Sequence, residues 1–208
     1  MSKQILLETG VSKPRIIVTA DPAFSLEGMD KDEGRRILRE LKIPKNKKLL
    51  GISVRKWNES GRDFESIMAR ICDYASEKYD MYPVFIPMQP EKDMQISRNI
   101  MSKMKSPSSV IEDRQTVNGM MSVVGCMDMC IGMRLHSLIY AAIGAVPLIG
   151  IVYDPKITSF LDYTHQKNCI DAGKMTEDEL KKAIDKCIAN HDNIVSDLEK
   201  NYEQLKIK

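Results

Sequence analysis

Arg134 and His136 stand two residues apart in Ile131-Gly132-Met133-Arg134-Leu135-His136, and Lys156 follows in Tyr153-Asp154-Pro155-Lys156. Arginine offers a planar fork to a carboxylate or phosphate, and lysine offers a point charge. Histidine can hold or release a proton near neutral pH. Together these types suit a small anion and acid–base chemistry performed on it. Arg55, at the exit of the apolar run Leu49–Val54, adds a further cation, and Asp21 in Ala20-Asp21-Pro22 adds a candidate acid or base. Each has a plainer alternative. Arg55 at a strand end also reads as a solvated cap, His136 as a core histidine bonded to a carbonyl, and Asp21 as a turn residue before proline. Trp57 and Tyr153 read either as pocket walls or as half-buried packing. His165 and His191 lie in polar surroundings and are assigned no role.

The elements around these residues fix where they must sit. Met127–Ile131 is an apolar run that predicts a buried strand, broken by Gly132. Leu135, Leu138, Ile139 and Ala142 then recur at helical spacing, Gly144 ends the helix, and Leu148–Val152 is a second apolar run. Strand, helix and strand in so short a span make a βαβ unit with parallel strands. Arg134, His136 and Lys156 fall at its strand exits, the edge where open α/β sheets bind ligands. The helix start adds free N–H groups, and Gly132 lets the backbone come close to an anion.

The alternation continues on both sides. Leu49–Val54, Tyr82–Pro87 and Ser109–Glu112 predict strands, and Asn168–Ile170 an edge strand. Arg62–Tyr79, Glu91–Met104 and Ile157–Tyr163 predict helices, with a weaker one at Val117–Val124 interrupted by Gly119. A last helix starts at Thr176, whose spacing to Glu179 makes a capping box, and runs with a break near Asn190 to about Leu205. The fold class is α/β, a Rossmann-like doubly wound parallel sheet.

The 208 residues allow one large domain, or one domain plus a remnant of another. Residues 1–44 contain a helix end (Ser2–Gly10), a strand (Arg15–Thr19) and a charged helix (Lys31–Leu41) stopped by Ile43-Pro44. They are expected to be the remnant of a preceding N-terminal domain plus a linker. Residues 45–208 form the Rossmann-like domain with its C-terminal helix. An exposed apolar patch is expected around Phe24 and the final helix, where it would support self-association. A net charge of +2 is too small to argue for nucleic acid, and no apolar run is long enough to span a membrane. The five cysteines are an odd, scattered set, which favours reduced thiols in the cytoplasm. Cys126 and Cys130 lack a second pair at metal-binding spacing and read as structural thiols. Nothing demands a metal or another cofactor.

The motif Met133-Arg134-Leu135-His136 with the later Tyr153-Asp154-Pro155-Lys156 resembles the polysaccharide pyruvyl transferase family, most closely its S-layer anchoring (CsaB-like) branch. The likeness extends to Val18–Phe24, Gly51-Ile52-Ser53-Val54-Arg55 and Ile86-Pro87-Met88-Gln89-Pro90. It implies the C-terminal half of a GT-B-type two-domain enzyme that moves the enolpyruvyl carbons of phosphoenolpyruvate onto a sugar as a ketal. The implied acceptor is a saccharide of a cell-wall or exopolysaccharide precursor, with lipid linkage and attachment at the inner membrane face as open options. The family's Arg-Leu-His falls on Arg134, Leu135 and His136, with Arg55 a second donor ligand. Lys156 would add charge, His136 would move the proton, and Asp21 would activate the acceptor or fix the domain junction. The donor is the substrate, so no cofactor is implied. Weak donor binding and no ketal formation are expected of this chain alone. Two other readings stay open: a nucleotide-sugar glycosyltransferase on the same fold, and a non-catalytic anion-binding domain.

Overall fold

The computed structural model describes residues 2–12, 16, 21–26, 28–44, 46–57 and 63–206. The chain opens with α1 (Ser2–Glu8), a 3-10 turn (Pro22–Ser25) and α2 (Lys31–Glu40). Then come β1 (Lys48–Ser53), α3 (Phe64–Tyr79), β2 (Met81–Phe85), α4 (Pro90–Lys103), β3 (Ser109–Val110) and α5 (Val117–Val124). The βαβ unit follows as β4 (Met129–Gly132), α6 (Leu135–Ile143) and β5 (Leu148–Val152). The remainder is α7 (Pro155–Tyr163), β6 (Cys169–Asp171), α8 (Glu177–Ala189) and α9 (His191–Lys206).

The strands form one parallel sheet in the order β3-β2-β1-β4-β5-β6. The order reverses between β1 and β4, which opens a crevice at their carboxyl ends. Side chains alternate across the sheet as strand geometry requires. Leu50, Ile52, Ile131, Ile149 and Ile151 meet α3, α4 and α8 on one face. Tyr82, Val84, Cys130 and Leu148 meet α5, α6, α7 and α9 on the other. Ser53 and Arg55 share parity with Leu49 and Gly51, so they belong to the α6 side.

Close approach explains two glycines. A Cβ on Gly132 would stand 2.7 Å from Ser137 Oγ, because the first turn of α6 rests on the end of β4. A Cβ on Gly34 would stand 2.2 Å from the Ser122 carbonyl oxygen, so α2 meets α5 backbone to backbone. Ser122 Oγ also accepts the Asp30 N–H at 2.9 Å, just before α2 begins.

The structure moves several expected boundaries. Helix α5 runs unbroken through Gly119, whose N–H donates to the N-cap oxygen Thr116 Oγ1 at 3.0 Å. A glycine in the first turn interrupts little when its donor is capped. Strand β4 starts at Met129, because Cys126 and Met127 still donate to carbonyls at the end of α5. The break near Asn190 separates α8 from α9, and the Thr176–Glu179 capping box is present. The expected strand Arg15–Thr19 lies outside the described residues except for Ile16.

Phe24 does not sit on an exposed patch. It is 1% exposed, its ring stacks on Phe160 at 6.4 Å, and Leu198 and Leu205 of α9 are buried in the same cluster. Residues 21–26 and 28–41 therefore pack into the α6 side of the sheet. Among the cysteines, burial pushes the Cys130 and Cys187 thiols up to about 12. The half-buried Cys126 donates to the Lys31 carbonyl at 3.4 Å. No described helix is long and apolar enough to cross a membrane.

Phe24→Ala should lower unfolding free energy by about 3–5 kcal/mol in urea titration, as expected for a truncated core aromatic. A loss under about 1 kcal/mol would place Phe24 outside the core.

Candidate active site

The parallel register sets the height of the strand exits. Ser53 of β1 is level with Gly132 of β4, so Arg55 and Arg134 each follow two residues later on neighbouring strands. Adjacent strands lie about 4.8 Å apart, which brings both exits to the crevice at the reversal. Gly132 is level in turn with Gly150 of β5, whose exit carries Tyr153, Asp154 and Lys156.

Arg134 is the N-cap of α6, with extended backbone (φ −86°, ψ 123°), and its carbonyl accepts from Ser137 N at 3.1 Å and Ser137 Oγ at 2.6 Å. Its guanidinium pairs with Asp93 of α4. Nε donates to Asp93 Oδ2 at 3.0 Å, and Nη2 donates to Oδ1. The Asp93 side chain is fully buried, whereas that of Arg134 is 14% exposed. Asp93 Oδ2 also accepts the Gln89 N–H at 2.9 Å, so one carboxylate serves the start of α4 and the side of the guanidinium. This side-on pairing uses Nε and one proton of Nη2. Among the described residues nothing meets the end of the fork, Nη1 and the remaining Nη2 proton, which suits a two-oxygen ligand.

Arg55 and Lys156 gather on Tyr153. The Arg55 guanidinium carbon lies 4.5 Å from the ring centroid, and Lys156 Nζ lies 5.8 Å from it. Trp57 packs on the same ring at 5.8 Å and 58°. An aromatic face attracts cations, by roughly 0.5–1 kcal/mol when exposed, and holds their charge without neutralising it. Lys156 Nζ stands 3.7 Å from Asp154 Oδ2, and Asp154 caps α7 by accepting the Lys156 N–H at 2.9 Å.

His136 is exposed in the first turn of α6, its ring 6.2 Å from that of Tyr140 one turn on. Tyr140 is buried; burial first, and the charge of Asp21 second, raise its hydroxyl above the ordinary 10.0. Asp21 caps the 3-10 turn by accepting the Ala23 N–H at 2.9 Å. His136 and Asp21 thus both lie in the neighbourhood of Tyr140. Leu135, between Arg134 and His136, is half-buried and packs against the core of the α6 side.

Two residues were not singled out from sequence. Asp93 looks like an ordinary acid in the first turn of a helix, and only the tertiary fold brings it to Arg134. Ser53 is fully buried at the crevice, and no described group meets its hydroxyl. Its place in Gly51-Ile52-Ser53-Val54-Arg55, two before the arginine, was the available signal.

The sequence model of the family described as polysaccharide pyruvyl transferase matches residues 1–155. That span holds Asp21, Ser53, Arg55, Asp93, Arg134, Leu135 and His136, and ends one residue before Lys156. No curated protein matches the sequence. Solved structures match through the fold. A UDP-GlcNAc 2-epimerase from Methanocaldococcus jannaschii, in complex with UDP-GlcNAc and UDP, is 15% identical with TM-score 0.65, over 90% of this chain and 52% of its own. Staphylococcus aureus MnaA with UDP is 12% identical with TM-score 0.66, over 99% of this chain and 52% of its own. A glycosyltransferase from Rickettsia africae is 11% identical with TM-score 0.64, over 99% of this chain and 56% of its own. The chain therefore spans about half the length of these structures, and the fold it shares with them is the Rossmann-like α/β fold of GT-B-type glycosyltransferases and epimerases.

Asp93→Asn should destabilise the chain by about 2–4 kcal/mol in urea unfolding, because Arg134 then lacks its buried counter-charge. The double change Asp93→Leu with Arg134→Met should recover at least half of that loss. A double variant no more stable than Asp93→Asn would show that the two side chains do not act as a pair.

Proposed function

The chain belongs to the polysaccharide pyruvyl transferase family, and on that premise we propose that the crevice at β1, β4 and β5 binds phosphoenolpyruvate and passes its enolpyruvyl carbons to a saccharide as a ketal. The observation that carries this reading is the guanidinium of Arg134, fixed side-on by a buried carboxylate and left with its end free beside the exit of β1. A free, pre-set fork suits a carboxylate. Asp93 offsets much of the Arg134 charge, so the more highly charged phosphate belongs to Arg55 and Lys156 on the Tyr153 ring. Ser53 has a hydroxyl to offer either group.

The reaction adds one proton to C3 of the donor, which leaves C2 electron-poor. One acceptor hydroxyl adds to C2 and gives up its proton, and the C2–O bond to phosphate breaks. A second hydroxyl then closes the ketal and gives up its proton. Of the two hydroxyl protons, one balances that taken by C3 and the other leaves with phosphate. His136, exposed in the first turn of α6 beside Arg134, is the group assigned to carry them. Asp21 acts through the same corner of the fold, next to Tyr140, toward the acceptor. The acceptor belongs to a cell-wall or exopolysaccharide precursor, and the chemistry calls on no metal.

Arg134→Lys should weaken phosphoenolpyruvate binding by about 1.5–3 kcal/mol in calorimetry, because a point charge replaces one end of a planar fork. Affinity within twofold of the parent would remove Arg134 from the donor site. A thermal-shift comparison of phosphoenolpyruvate with UDP-GlcNAc separates this reading from nucleotide-sugar transfer, since only the ligand that binds the folded chain raises its melting temperature.

In a two-domain form of the enzyme, His136→Gln should keep donor affinity within about twofold and slow single-turnover ketal formation by about 10²–10⁴-fold, followed by mass spectrometry. Unchanged turnover would make His136 structural.

A further inference from the structure

A cavity of about 980 Å³ opens on the other side of the Tyr153 exit, between α7, the end of β6 and the last turns of α9. Trp57, Tyr153 and Asp154 belong both to its wall and to the cationic crevice. The remaining wall has a different character. Asp162, Asp171, His165 and Asn201 line it, together with hydroxyls of α7, and no lysine or arginine is among its described lining residues. Trp57 is half-buried, and its indole N–H is shielded from solvent with no partner among the described residues. Asn201 is held in place, donating to the Thr164 carbonyl at 2.9 Å.

These features select a ligand class. Asp162 and Asp171, with no lysine or arginine in the described wall around them, disfavour phosphate and carboxylate, so this end of the cavity is a poor home for the donor or for a nucleotide diphosphate. The same acids accept hydrogen bonds from hydroxyl groups, and charge-assisted bonds of that kind are strong. Aromatic walls offer flat apolar faces of the size of a pyranose ring. The volume is ample for a small ligand. We propose that this cavity holds a neutral, hydroxyl-rich saccharide ring, with Trp57 and Tyr153 as its platform and Asp162 and Asp171 as its hydroxyl acceptors. The inference rests on the pyruvyl-transfer reading only in identifying that ring as part of the acceptor. On that reading Tyr153 is the partition between acceptor and donor, carrying the donor's cations on its ring and facing the saccharide across it.

Trp57 is the chain's only tryptophan, so its emission reports on this cavity directly. The purified chain is titrated with methyl glycosides of glucose, galactose, N-acetylglucosamine and N-acetylmannosamine, with sorbitol as an acyclic control. At least one glycoside should change Trp57 emission saturably, with Kd on the order of 1 mM, while sorbitol does not. Asp162→Asn, an exposed change on α7 that spares the core, should weaken that binding at least fivefold. Trp57→Phe should weaken it similarly, read by saturation-transfer NMR on the glycoside. No saturable response to any glycoside, or full affinity in Asp162→Asn and Trp57→Phe, overturns the assignment. Phosphoenolpyruvate is titrated in parallel. If it binds while the glycosides do not, the donor reading stands and the cavity assignment falls; if the glycosides bind and it does not, the reverse holds. Displacement of a bound glycoside by phosphoenolpyruvate, lost in Asp162→Asn, would assign the cavity to the donor and also overturn the proposal.

Discussion

Every neighbouring pair of strands in this sheet is parallel, and that constraint governs where chemistry can happen. A parallel strand must be reached by a crossover, so all carboxyl ends meet at one edge and the helices that follow all begin there. Residues from β1, β2, β4 and β5, far apart in sequence, are delivered to one crevice. The same convergence crowds cations together. Asp93 offsets Arg134 from beneath, and the Tyr153 ring lies under Arg55 and Lys156. One device neutralises and the other tolerates charge, so the two ends of the crevice differ in the anion they suit.

Most of the fold was legible because its signals are local. Leu148–Val152 is an apolar run bounded by Pro147 and a polar exit, and it is β5 to the residue. Thr176 and Glu179 announce α8 through chemistry that needs nothing beyond four residues. Boundaries slipped where burial and strand geometry part company. Met127 is apolar and buried but belongs to the turn that ends α5, since periodicity cannot tell a buried loop from a buried strand. Gly119 misled in the opposite sense, because its cost depends on a cap that composition alone does not weigh.

The candidate site was legible in its cations but not in the buried acid that holds one of them. Arg55, Arg134 and Lys156 could be placed at strand exits from the sheet pattern alone. The partner of Arg134 comes from another crossover, Asp93 on the helix after β2, whereas Tyr153, the ring under Arg55 and Lys156, stands in the same short motif as Lys156. Phe24 shows the same limit in the core. Its neighbours on α7 and α9 are well over a hundred residues away, and nothing near it in sequence announces that a helix will return to cover it.

The pairing of Asp93 with Arg134 also shapes how this protein can change over descent. Exchanging either letter alone leaves a charge stranded in the interior, which is an expensive intermediate. Relatives that retain the arginine should retain an acid at the structural equivalent of position 93, and relatives that abandon one should have abandoned both. The two positions are 41 residues apart and lie on different crossovers. A conversion of this crevice to another ligand class would therefore require two coordinated steps in separate parts of the gene, a barrier that the exposed Lys156 does not face.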